Sequence, residues 1–142
     1  MNKSLLAVFA AIVLFAVLAQ RDDGSVMVHY YDKTLRKHKI NCLSYTIEPE
    51  NRKLEERLKR LYHFRESCPY RLKVTYKNGI HCNSSGNAAK EASGAFPSAF
   101  IELELRRGLD LKYSYYRDLK EAADAEDLED AFERFSSDLK LQ

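Results

Sequence analysis

His81 and Cys82 stand side by side, and an imidazole next to a thiol is the raw material of a cysteine nucleophile. The surrounding stretch YRLKVTYKNGIHC, residues 70 to 82, alternates like a strand, and neighbouring strand side chains point to opposite faces. The two groups therefore cannot act on each other. Glu102 and Glu104 have the opposite geometry: two positions apart on a strand, their carboxylates share one face, as a general acid and base would. A cross-strand ion pair between Glu102 and Lys112 is the plainer reading of that face. Residues 124 to 130, DAEDLED, hold five acids in seven positions but lack the alternating oxygen donors and the sharp-turn glycine of a calcium loop. His29, His38 and His63 are scattered, with no HxxxH and no CxxC spacing. The sequence assigns no catalytic residue, no metal site and no cofactor.

The elements that must position any site follow from periodicity. VMVHYY (26 to 31) and INCLSYTI (40 to 47) are rich in β-branched and aromatic residues, as strands are, and the polar DKTLRKHK between them reads as a hairpin tip. In EPENRKLEERLKRLYHF, Pro49 suits a first helical turn, and Leu54, Leu58, Leu61 and Tyr62 make one apolar stripe. Glu55 with Lys59 and Glu56 with Arg60 add acid-first i,i+4 pairs.

Two glycine-closed hairpins are expected next. A loop Lys77-Asn78-Gly79 sets Tyr76 opposite Ile80 and Val74 opposite Cys82. A loop Arg106-Arg107-Gly108 pairs Leu105 with Leu109, Leu103 with Leu111 and Ile101 with Tyr113. The tail is a helix with stripe Leu128, Phe132, Phe135 and Leu139, capped by Asp124. The expected fold class is α+β: a mostly antiparallel sheet built from hairpins, with two amphipathic helices on one face.

Cys42, Cys68 and Cys82 allow one intrachain bridge. With Cys82 opposite Val74, Cys68 lies on the order of 20 Å further along the partner strand. Bridged Cα atoms sit only about 5 to 6 Å apart, which disfavours that pair. Cys42 then takes one of the others, and Cys68 is favoured because the intervening helix can bring the two strand starts side by side.

Residues 1 to 19 form a hydrophobic signal peptide or signal-anchor, since the run Leu5 to Ala19 is shorter than the roughly 20 residues of a spanning helix. Residues 20 to 142 then form a single exported α+β domain, secreted or periplasmic, in an oxidising compartment. A retained segment instead makes a single-pass anchor with the domain outside the cytoplasm, the one case in which the membrane is a partner. The formal net charge of +2 excludes the strongly basic balance of a nucleic-acid binder. Its distribution is uneven: fourteen Lys/Arg against eight Asp/Glu over residues 21 to 77, and eight against thirteen beyond.

Two features suggest recognition. The sixteen-residue NSSGNAAKEASGAFPS, 83 to 98, is a loop hinged at Gly86 and Gly94, with Asn87, Lys90 and Phe96 as candidate contacts. Its Asn83-Ser84-Ser85 also matches the N-glycosylation pattern. Nine tyrosines, with Tyr30, Tyr31, Tyr115 and Tyr116 in adjacent pairs, put rings on both sides of strands, and tyrosine is favoured at recognition surfaces. The function expected from the letters alone is a small exported binding module for a protein partner or small apolar ligand. The alternatives are a small extracytoplasmic hydrolase using Glu102, Glu104 or His81, and a membrane-anchored accessory subunit of an envelope assembly.

Overall fold

A computed structural model of the chain describes residues 24–81 and 96–141. The amino-terminal apolar segment, Cys82, Asn87, Lys90 and most of the 83 to 98 loop lie outside the described residues. Five strands and two helices follow in the order β1 (Val26–Tyr30), β2 (Ser44–Glu48), α1 (Arg52–Leu61), β3 (Tyr70–Lys77), β4 (Ala99–Arg107), β5 (Asp110–Leu119) and α2 (Ala125–Leu139). They form one sheet of order β1-β5-β4-β3-β2, so β1 and β2 are its two edges.

The fold is α+β, but the sheet is mixed rather than mostly antiparallel: β2 runs parallel to β3. Parallel neighbours need a crossover, and α1 supplies it. The expected β1–β2 hairpin does not form. Instead DKTLRKHK opens a long connection between opposite edges. Asp32 caps a 3-10 turn at Lys33–Arg36 by accepting from the Thr34 amide at 3.0 Å. Leu35, Ile40 and Leu43 are buried in the core along the way. The second strand accordingly starts at Ser44 rather than Ile40.

Neither hairpin register is as expected. β3 does not fold back at Gly79 onto Ile80 and Cys82; it pairs along its whole length with β4, with Leu72, Val74 and Tyr76 opposite Leu105, Leu103 and Ile101. The reason is burial. β4 offers three fully buried partners, Leu105, Leu103 and Ile101. In the β4–β5 hairpin, Leu105 faces Tyr113 and Leu103 faces Tyr115, while Leu109 sits at the turn, 95% exposed. A bulge after Leu105 leaves Lys112 without a partner on β4, and its carbonyl instead accepts from the amides of Tyr31 (3.0 Å) and Asp32 (3.1 Å). Glu102 consequently lies opposite Tyr116, not Lys112.

Both helices cover one face of the sheet. Asn51, not Pro49, begins α1: its side chain accepts from the Leu54 amide at 3.2 Å. Asp124 and Asp127 form a reciprocal capping box at the start of α2. Leu54 and Leu58 from α1, and Leu128, Ala131, Phe132, Phe135 and Leu139 from α2, are buried against the strand residues. An Arg57–Glu129 ion pair joins the helices, and Arg117 on the covered face of β5 reaches Asp130 at 3.5 Å. Six rings run through this layer from one edge to the other. Tyr45 meets Phe64 at 4.8 Å, Phe64 meets Phe132 at 6.2 Å, Phe132 meets Phe135 at 6.1 Å, and Phe135 meets Tyr113 at 5.5 Å. Tyr30 closes the row on Tyr113 at 5.0 Å.

Candidate functional site

The side of β2 away from β3 meets no strand of the sheet. Beside that edge lies a groove of about 630 Å³. Ser44, Tyr45 and Thr46 of β2 form one wall, with Lys59 from α1, Arg71 from β3, and Tyr62, His63, Phe64 and Glu66 from the segment after the helix.

The sequence places these groups by local rules. Leu58 and Leu54 turn one stripe of α1 into the core, which leaves Glu55 and Lys59 along its flank. They bond at 2.7 Å, Glu55 accepts the Tyr45 hydroxyl at 2.7 Å, and the Lys59 ammonium lies 5.9 Å from the Tyr45 ring centre. The bonds from Lys59 and then Tyr45 hold the Glu55 carboxyl below its ordinary range, while burial and the bond to Glu55 raise the Tyr45 phenol.

The far wall is tied down as firmly. Cys42 and Cys68 are joined by a disulfide with a Cα–Cα distance of 5.8 Å. The Arg65 amide donates to the Leu43 carbonyl at 2.8 Å, the Cys68 amide to the Arg65 carbonyl at 3.1 Å, and the Ser44 hydroxyl to the Tyr70 carbonyl at 3.2 Å. Phe64 is wedged between Tyr45 and Tyr62, 5.1 Å from the latter. Arg71 is exposed and makes no ion pair among the described residues. An edge strand whose outer backbone groups are unpaired among the described residues, with aromatic walls and a spare guanidinium, is suited to hold an extended chain.

The tyrosines expected to form a recognition surface are dispersed. Tyr115 is 4% exposed and faces the helices. Tyr30 packs on the same side, its ring 4.3 Å beneath the Arg36 guanidinium and its hydroxyl 3.4 Å from the Asp138 carbonyl. Tyr116 lies on the opposite face, stacked on Phe100 at 5.3 Å, and donates to Asp118 at 2.9 Å. Burial and that bond push its phenol up to about 12. Tyr31 is exposed beyond β1, and Phe96 is half-buried before β4. The groove was missed in the sequence because its parts are far apart in the chain. The cluster Tyr62-His63-Phe64 just past a helix, between two cysteines, was the available signal.

Glu102 and Glu104 share the face away from the helices. Arg106 clasps Glu104 at 2.9 and 3.2 Å, and Lys73 pairs with Glu48 at 2.9 Å. Burial, then the charge of Glu104, raises the Glu102 carboxyl above its usual range. Neither carboxylate lines the groove at β2. Among the described residues no three His, Cys, Asp or Glu side chains are grouped to hold a metal, and no helix is long and apolar enough to cross a membrane. The disulfide is compatible with an oxidising compartment. No known protein family, curated protein or solved structure matches this chain.

Proposed function

We propose that this chain is a small exported binding module that takes an extended, acidic segment of a protein partner along the β2 edge. One observation carries the reading: a strand edge unpaired among the described residues opens onto a groove braced by a disulfide and by the Tyr45–Glu55–Lys59 trio. Strand addition supplies backbone hydrogen bonds, and pockets beside the edge supply side-chain selection. Tyr45, Tyr62 and Phe64 offer apolar area, while Arg71, which unlike Lys59 has no carboxylate partner among the described residues, favours a carboxylate. A rigid groove avoids much of the ordering cost of association.

The test is titration of isotope-labelled protein with a set of extended peptides, alternating apolar with acidic, basic or neutral residues. The acidic peptide is expected to shift the amides of residues 44 to 48 and 62 to 66. Arg71→Glu should weaken it by about tenfold, the size of one well-placed charge contact. Binding that maps elsewhere, or that ignores Arg71→Glu, rejects the groove as the site.

A further inference from the structure

Among the described residues four large hydrophobic side chains are exposed, and three of them cluster at one edge: Val26 at 45%, Met27 at 48% and Tyr31 at 59%. They belong to β1 and the residue after it. Native edges are usually protected by lysine, proline, a bulge or an inward charge, and VMVHY has none of these. The opposite edge, β2, ends in Glu48 followed by Pro49.

The direction of the free backbone groups is set by the hydrogen bonds at the two ends of β1. The Ser25 carbonyl accepts from the Asp118 amide, and the Tyr31 amide donates to the Lys112 carbonyl, both at 3.0 Å. Residues 25 and 31 thus point their backbone groups toward β5. By the alternation of an antiparallel ladder, Val26, Val28 and Tyr30 direct theirs outward. These three positions are symmetric about Val28.

We infer that β1 pairs antiparallel with β1 of a second copy, about a two-fold axis through Val28, giving one continuous sheet with the helices of both copies on the same face. In that register the Val28 residues exchange bonds with each other and Val26 exchanges them with Tyr30 of the other copy. Every outward group at the three positions finds a partner. Met27 then lies against His29 of the other copy, and no like charges are opposed, since the strand carries none. A second copy is the occupant that matches this edge in length, lack of charge and symmetry. The flanking surface agrees: exposed Glu133 and Arg134 of α2, the latter already bound to Asp138 at 3.0 Å, share a cavity of about 520 Å³ with Val26, so the patch offers both signs to its own image.

Sedimentation velocity on the purified full chain, with two variants, tests this. Val26→Pro removes one outward donor and keeps every bond to β5. It should lower self-association by more than about tenfold while leaving the circular dichroism and melting temperature unchanged. The double variant Met27→Cys/His29→Cys, oxidised, should give a covalent dimer whose bridges link 27 to 29 between copies by mass spectrometry. A monomer up to millimolar concentration overturns the inference. So does an association that survives Val26→Pro and yields no 27–29 bridge.

Discussion

The Tyr113 hydroxyl donates to the Asp138 carboxylate at 2.8 Å, tying β5 to the last turn of α2, and the Arg134 side-chain nitrogen holds the same carboxylate at 3.0 Å. Tyr113 is wholly buried, so its hydroxyl must have a partner or lose its hydration without return. Burial first, then the bond to Asp138, drives this phenol far above its ordinary range. Tyr113→Phe should cost about 1.5 to 3 kcal/mol, as expected for a hydrogen bond to a charged acceptor. Urea unfolding with an unchanged m-value checks it.

Removing the disulfide acts mainly through the unfolded chain. The bridge closes a loop with a sequence separation of 26, for which chain entropy gives about 3.5 kcal/mol. The double variant Cys42→Ser/Cys68→Ser should lose that amount in chemical denaturation. Its groove should also loosen, seen as broadened amide signals from residues 62 to 66.

The raised Glu102 carboxyl makes stability depend on pH in a fixed direction. The folded state binds its proton more tightly than the unfolded state does. The contribution of this one group to stability is therefore greatest below the ordinary carboxylate range and declines as pH rises through that range toward the folded value. Glu102→Gln should be the more stable protein at neutral pH, by under about 1 kcal/mol because the group is partly open to water. The advantage should vanish in acid. Urea midpoints for both proteins from pH 3 to 8 decide the matter.

Two glycines should respond to alanine for different reasons. A Cβ on Gly24 would stand 2.1 Å from the Asp118 carbonyl oxygen, so the start of β1 must shift away from β5, at about 1 to 3 kcal/mol. Gly108 has open space around it but a φ of +62°, and Gly108→Ala should cost about 1 kcal/mol from backbone conformation alone. Gly108→Asn should recover part of that loss, whereas Gly24→Asn should not. Parallel thermal melts of the four variants separate the two causes.

What was legible in the sequence was local. The apolar stripes of Leu54 and Leu58, and of Leu128, Phe132, Phe135 and Leu139, face the core. The inward set of β4 does too. Register was another matter. Opposing Leu105 to Leu109 and opposing it to Tyr113 keep the same side chains inward, because the two differ by an even number of residues. Alternation cannot choose between them; the burial of Tyr113 and Tyr115 does. Strand partners separated by α1, or by most of the chain, were equally invisible, so the mixed sheet went unseen. The argument against a Cys68–Cys82 bridge rested on a hairpin that does not form. The Cys42–Cys68 bridge instead follows from the parallel starts of β2 and β3, in keeping with the expectation that the intervening helix brings the two strand starts side by side. The β2 groove needed that tertiary arrangement before it existed at all.

The pairing of Val26 with Arg117 joins nearly the first described residue of the domain to one of its last strands. A chain made from its amino terminus thus presents β1 long before β5 exists to receive it. Until then the strand waits as an uncovered apolar ribbon, and its pairing with β5 is a long-range contact that local ones do not bring about. Any delay at that stage exposes the same five residues to a neighbouring chain in the same condition, so the yield of native protein should fall with the crowding of nascent copies.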